Sequence, residues 1–100
     1  MTYRSKKLLA YAKESPHCMF CGAENHGQIV AAHSNQQKHG HGTGHKSADC
    51  LTAYVCGDCH DIIDGRSKAK EHDRQSRIEM HADAFYKTVL WLFETGRIKT

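Results

Sequence analysis

Two Cys-x-x-Cys motifs form the clearest chemical pattern in this sequence of 100 residues. The first motif contains Cys18 and Cys21, and the second contains Cys56 and Cys59. Four thiolates in two such pairs suit a closed tetrahedral zinc site with Zn–S bonds of about 2.3 Å. His60 directly follows the second pair. Because four thiolates fill the zinc shell, His60 is free to bind a second metal ion.

Further polar residues with catalytic chemistry lie between the two motifs. His33 ends a short apolar run at residues 28–33, and Asp49 follows a glycine-containing loop that also carries His45 and Lys46. Imidazole has a pKa of about 6.5, so a histidine can act as a general base near neutral pH. The Asp49 carboxylate could bind a metal or hold the His33 ring in one tautomer. His45 and Lys46 are candidate phosphate contacts.

These candidates need secondary structure to position them. Residues 3–14 have the pattern of a short helix, and Ser15 and Pro16 end it. Residues 28–33 and 51–55 are predicted to be strands that pair with each other. The second cysteine pair would then open a short helix over residues 57–64, ended by Gly65.

A longer helix is predicted over residues 73–95, with Gly96 as its stop signal. Its apolar residues recur at three- and four-residue steps and should face the core: Ile78, Ala82, Phe85, Val89, Leu92 and Phe93. His81 lies near this stripe and is expected to be partly buried.

The order of these elements predicts the fold class. We expect a single α+β domain over residues 1–100 with a zinc-stapled treble-clef ββα core at residues 17–66. The N-terminal helix at 3–14 and the long C-terminal helix at 73–95 flank that core. A chain this short has a limited hydrophobic core, so a zinc ion would add folding free energy.

Composition limits the remaining choices. Five cysteines cannot form an even disulfide framework, no secretory signal precedes them, and Cys50 is expected to be a packed or free thiol. No apolar run approaches about eighteen residues, so we expect no membrane span. Residues 1–48 carry six Lys/Arg against two Asp/Glu, and residues 49–100 carry eight against nine. The basic N-terminal half is compatible with binding to phosphates, and the thiols with a reduced cytoplasmic setting.

Together, these residues resemble the zinc-bound HNH (ββα-metal) endonucleases, specifically the short prophage-encoded group typified by YbcO. The resemblance covers about residues 17–66. It is carried by both cysteine motifs, the Ala32-His33 strand end, the Gly-Thr-Gly loop leading to Asp49, and the segment 60–66.

The resemblance implies metal-dependent hydrolysis of DNA phosphodiester bonds in a bacterial host cell by a phage or prophage protein. It assigns His33 as the general base and His60 as a ligand of a second divalent metal such as Mg²⁺ or Mn²⁺. Asp49 takes roughly the position of the family's middle Asn and is a second candidate ligand or catalytic residue. The zinc ion would be structural.

One position departs from this pattern. Many HNH sites carry Asp or His as a metal ligand directly before the base, and here that residue is Ala32. Either the metal has fewer protein ligands, or His33 is itself a ligand and His45 or His41 is the base.

Two functions of other classes remain open. A non-catalytic treble-clef module would bind DNA or RNA in a salt-sensitive way through its basic residues, which are Arg4, Lys6, Lys7, Lys38 and Lys46. A protein-interaction module would use the C-terminal helix as a dimer face. A homodimer through that helix is compatible with either of the other functions.

Overall fold

The computed structural model describes residues 3–36, 47–66 and 72–98. Within these ranges the chain is a small α+β protein whose helices are α1 (Lys6–Ala10), α2 (Gly57–Ile63) and α3 (Arg74–Glu94). A 3₁₀ turn at Tyr11–Glu14 continues α1. The strands β1 (Ile29–His33) and β2 (Thr52–Cys56) form a two-stranded sheet.

The N-terminal helix begins later than the sequence pattern predicts. Ser5 has an extended backbone, and its hydroxyl accepts a hydrogen bond from the Leu8 N–H at 3.2 Å. A side-chain cap of this kind satisfies one of the free N–H groups at a helix start, so α1 begins at Lys6. Residues 3–5 are left extended and reach toward the turn before β2, where the Tyr3 carbonyl accepts the Asp49 N–H at 3.0 Å.

The two strands pair antiparallel. Their register places Ile29 opposite Cys56 and His33 opposite Thr52. His33 therefore ends β1 beside the start of β2, while β2 continues directly into α2. Both faces of β2 are enclosed, since every residue of this strand is buried, whereas Val30 of β1 is exposed.

The outer edge of β2 is closed by two other parts of the chain. The Tyr54 N–H donates to Thr88 Oγ1 on α3 at 3.0 Å, and the Tyr54 carbonyl accepts from the Met19 N–H at 2.9 Å. The Tyr54 hydroxyl donates to the Leu8 carbonyl on α1. Buried backbone groups need such partners, so one residue connects β2 to α1, α3 and the first cysteine motif.

The buried face of α3 differs from the predicted stripe. Its buried residues are Met80, His81, Ala84, Thr88 and Leu92. Leu92 is the fully buried member of the predicted set, Phe85 is half-buried against the core, and Phe93 is 46% exposed, so the buried face is shifted from the predicted stripe. The reason is that the small Ala84 and the hydrogen-bonding Thr88 let the helix pack closely against β2, which turns the larger aliphatic residues toward the rim.

None of the helices within the described ranges combines the length and the apolar character that a membrane crossing requires.

Candidate functional site

The four predicted zinc cysteines meet in one cluster. The Sγ atoms of Cys18, Cys21, Cys56 and Cys59 all lie within 4.8 Å of one another. The Cys18–Cys59 and Cys21–Cys56 sulfur pairs are each 3.8 Å apart. A tetrahedron with metal–sulfur bonds of about 2.3 Å has edges of about 3.8 Å, whereas a disulfide bond is about 2.05 Å long. The cysteines are positioned to hold a metal ion, and the spacing is consistent with zinc.

Local backbone structure makes each pair converge. In the first motif the N–H groups of Phe20 and Cys21 lie 3.4 Å from Cys18 Sγ. Gly22 closes this turn with φ +80° and donates its N–H to the Cys18 carbonyl at 3.0 Å. The second pair spans the junction of β2 and α2. The pairing of β2 with β1 places this junction beside the first pair.

The ionisation of the thiols also suits a cation. Burial opposes ionisation of Cys18, but the backbone N–H groups of Cys21, Cys56 and Phe20 outweigh it and lower its pKa to about 7. Burial raises the pKa of Cys59, and the neighbouring sulfurs of Cys56 and Cys18 raise it further. A divalent cation removes this conflict because it stabilises all four thiolates. The donor set therefore fits a zinc ion.

His33 and Asp49 form a second functional unit beside the sheet. His33 Nε2 lies 2.8 Å from Asp49 Oδ1, and their side chains are 15% and 6% exposed. Asp49 Oδ1 is also 3.0 Å from Arg4 Nη1, and Asp49 Oδ2 accepts the Ser5 N–H at 2.8 Å. Both carboxylate oxygens are thus engaged by groups from the N-terminal segment and from β1.

These contacts keep Asp49 ionised and select the tautomer of His33. Burial opposes the charge on Asp49, but His33, the Ser5 N–H and Arg4 together lower the pKa of its carboxyl below the usual range. An ionised carboxylate can only accept hydrogen bonds. Nε2 of His33 must therefore carry the proton and donate it, which leaves Nδ1 as the basic nitrogen of the neutral ring.

His60 has a carboxylate partner one helical turn away. His60 Nε2 lies 3.1 Å from Asp64 Oδ2, in an i,i+4 relationship along α2. Asn35 donates to Asp64 Oδ1 at 2.8 Å, and Arg66 Nη2 lies 3.5 Å from Asp64 Oδ2. Burial of Asp64 is outweighed by His60, Asn35 and Arg66, which together lower the pKa of its carboxyl.

The sequence pattern did not single out Asp64 or Asn35 as site residues. The i,i+4 step from His60 was the available signal for Asp64, because residues four apart on a helix are neighbours. Asn35 gives no such signal, since its contact with Asp64 joins the end of β1 to the end of α2. Only the packing of those two elements brings them together.

A groove of about 740 Å³ unites the two histidines. It is lined by Leu9, Ala12, Lys13, Ile29, Val30, Ala31, His33, Asn35, His60, Asp64, Arg66 and Arg77. Asp49 contacts His33 without lining the groove, and the cysteine cluster is also outside the lining. The groove therefore joins the predicted base to the predicted metal ligand.

Within residues 3–36, 47–66 and 72–98, no second group of three or more His, Cys, Asp or Glu side chains lies close enough together to hold a metal ion. His60 and Asp64 offer two adjacent ligand atoms. Ala32 has no exposed surface, and its carbonyl oxygen lies 2.8 Å from His81 Nε2. Ala32 is thus enclosed in the core beside α3. His81 is more buried than the sequence pattern predicted.

Several predicted residues fall elsewhere. His45 and Lys46, the phosphate candidates, lie outside the described residues, as does His41, the alternative base. Cys50 is an exposed free thiol apart from the cysteine cluster.

The match to a known protein family covers most of the chain. The family described as "Putative nuclease YbcO" matches residues 16–97. This range includes the four clustered cysteines, both histidine–carboxylate pairs and α3. No curated protein and no solved structure matches the chain significantly.

Proposed function

Because the chain belongs to the YbcO family, we propose that it is a metal-dependent endonuclease of the HNH type that hydrolyses DNA phosphodiester bonds. The observation that carries this proposal is the groove that joins the His33–Asp49 pair to the His60–Asp64 pair. A general base and a ligand for a divalent ion are the two groups that such hydrolysis requires.

We propose that the core is a zinc-bound treble clef. The order of first cysteine motif, β1, β2 and α2 supports it, because the second cysteine pair spans the junction of β2 and α2. A zinc ion on the four thiolates would hold the start of α2 against the first motif, and α2 carries His60. Four thiolates kept as metal ligands also require a reducing compartment, for which we propose the cytoplasm.

His33 is the proposed general base. The Asp49 carboxylate accepts a hydrogen bond from the Nε2–H group of His33, so Nδ1 is free to take a proton from the attacking water. The imidazolium that forms then lies 2.8 Å from an anion that stabilises it. Arg4 and Ser5 keep Asp49 ionised throughout.

His60 and Asp64 are the proposed protein ligands of the catalytic metal. A divalent cation such as Mg²⁺ or Mn²⁺ supplies charge stabilisation for the phosphate and the departing 3′-oxygen when bound. One imidazole and one carboxylate suit these ions, which commonly keep water or substrate oxygens in their remaining positions. Asp49 was an equal candidate for this role, but it contacts His33 without lining the groove, whereas Asp64 lines it, so we propose that Asp49 acts through His33.

A non-catalytic nucleic-acid-binding module is the second candidate function. Ala32 favours it, because the buried alanine removes a ligand position that many HNH sites use. Such a module would bind nucleic acid and leave its backbone intact.

We also propose a homodimer through α3. Three large side chains, Tyr86, Leu90 and Phe93, are exposed at successive turns of this helix. Light scattering on Leu90→Glu, with Lys87→Glu as a control on the same helix, tests this. A wild-type protein that scatters as a monomer at every concentration refutes the dimer.

The decisive test of nuclease function is cleavage of supercoiled and single-stranded DNA with Mg²⁺, Mn²⁺, Ni²⁺, Zn²⁺ or a chelator. His33→Ala and His60→Ala should both abolish metal-dependent nicking while zinc content and circular dichroism stay unchanged. His26→Ala is the matched control, since the His26 side chain is 76% exposed and lies outside the groove. Cleavage that neither groove substitution affects would refute the assigned site. Binding without cleavage under every metal would favour the second candidate.

A further inference from the structure

The groove carries more positive than negative charge. Three cationic side chains, Lys13, Arg66 and Arg77, line it together with one carboxylate, that of Asp64. Arg66 is already paired, because its guanidinium lies 3.1 Å from Asp61 Oδ1 and 3.5 Å from Asp64 Oδ2. The carboxylates of Asp61 and Asp64 therefore largely neutralise the charge of Arg66.

Arg77 on α3 differs from Arg66 in this respect. No carboxylate within the described ranges forms an ion pair with its guanidinium, and Nε is enclosed without a hydrogen-bond acceptor there. A guanidinium has five N–H donors and cannot lose its charge in a protein. Within the described part of the chain, Arg77 therefore has neither an anion that neutralises its charge nor an acceptor for its guanidinium N–H donors.

The backbone turn at Gly65 leaves space for the Arg77 guanidinium. Gly65 follows α2 with φ +74°, where its N–H bonds to the Ile62 carbonyl at 3.1 Å and the Arg66 N–H to the Asp61 carbonyl at 2.9 Å. This is the Schellman turn that commonly ends helices at glycine. A Cβ at position 65 would collide with Arg77 Nη1, so the absence of a side chain lets the guanidinium lie over the turn.

Arg77 also borders the proposed metal ligands. A smaller cavity of about 100 Å³ adjoins the groove, and Asn35 and Arg77 line both. Asn35 donates directly to Asp64. Arg77 therefore lines the same groove and cavity as the side chain that donates to Asp64.

We propose that Arg77 binds a backbone phosphate of the nucleic-acid strand next to the phosphate that is hydrolysed. This inference rests on the proposed nuclease function, because it takes the groove as the substrate site. Phosphate oxygens match the planar donor pattern of a guanidinium, which can bind two of them at once. In this contact the phosphate accepts hydrogen bonds from the Arg77 guanidinium, for which the described residues provide no acceptor. The contact also places the strand against α3.

Salt dependence of binding tests this contact separately from cleavage. A short fluorescent DNA duplex is titrated with protein carrying His33→Ala, which prevents cleavage, over about 50 to 200 mM salt. Adding Arg77→Gln should weaken binding by about tenfold. It should also reduce the slope of log K against log salt by about 0.9, the value for one lost phosphate contact on duplex DNA.

Two variants separate phosphate binding from a structural role. Arg77→Lys keeps the charge and should keep most of the salt slope while losing part of the affinity, because an ammonium lacks the planar fork. Lys87→Gln removes one charge from the exposed side of the same helix and should leave affinity and slope unchanged. Zinc content and circular dichroism of each variant report on folding.

The outcomes for Arg77 and for the nuclease proposal are distinguishable. Equal affinity and slope for Arg77→Gln and Lys87→Gln would overturn the phosphate contact, even if the wild-type protein cleaves DNA. An Arg77-dependent slope in a wild-type protein that cleaves nothing would support the contact and refute the nuclease. If Arg77→Gln loses its fold, Arg77→Lys decides: a reduced affinity with a retained salt slope supports the phosphate contact, and an affinity equal to that of the wild-type protein overturns it.

Discussion

His81 Nε2 donates a hydrogen bond to the carbonyl oxygen of Ala32 at 2.8 Å. This contact ties the middle of α3 to the peptide directly before His33. His81 is buried, and a buried hydrogen-bond donor of this kind must keep its acceptor. The proposed base is therefore held from two directions, through its own backbone by α3 and through its ring by Asp49.

Replacing His81 with Phe should lower stability and disturb the base. The substitution keeps an aromatic ring but removes the donor to Ala32, which we expect to cost about 1–3 kcal/mol of unfolding free energy. Urea denaturation measures this change. If the Ala32 contact positions His33, kcat should fall while KM for DNA changes little. An unaltered kcat would show that the contact is purely structural.

Asp49→Asn tests the role of the buried carboxylate. The substitution keeps the size but removes the charge that fixes the His33 tautomer, so we expect cleavage to fall by about ten- to a hundredfold. If Asp49 instead binds the catalytic metal, the loss should be partly rescued by raising the metal concentration.

The same carboxylate predicts a pH dependence of stability. Asp49 and Asp64 both have pKa values lowered by folding, so the stability that they provide is present above the unfolded pKa of about 4. It is lost as the pH falls through the lower, folded values. In excess zinc, the difference in unfolding free energy between wild type and Asp49→Asn should be constant from about pH 5 to 7 and narrow below about pH 4. A difference that widens on acidification would contradict this assignment.

Metal removal should unfold the core. Because the four thiolates join the first cysteine motif to the end of β2 and the start of α2, a strong chelator should abolish the cooperative unfolding transition, and added Zn²⁺ should restore it. Cys59→Ser should have the same effect as the chelator. Cys50→Ser is the matched control, since Cys50 is an exposed thiol outside the cluster. A protein that keeps its thermal transition without bound metal would show that the cluster is dispensable.

Local sequence signals were sufficient for both strands, for α2 and α3, and for the cysteine cluster. The helix predicted over residues 73–95 runs from Arg74 to Glu94, and the strands lie within one residue of their predicted ranges. These predictions succeed because a capping residue, a glycine stop or a Cys-x-x-Cys spacing acts within a few residues of chain. The position of His60 directly after the second motif has the same local origin.

Tertiary structure decided how these pieces work together. The contacts of Asp49 with His33 and Arg4 span 16 and 45 residues of sequence, and Asn35 meets Asp64 across 29. The buried face of α3 is set by Thr88 and Ala84 against Tyr54, which overrides its aliphatic stripe. Such pairings depend on the relative placement of whole elements, and periodicity along one element carries no information about that placement. The sequence by itself therefore determined which residues are chemically competent, and only packing determined which of them share a groove.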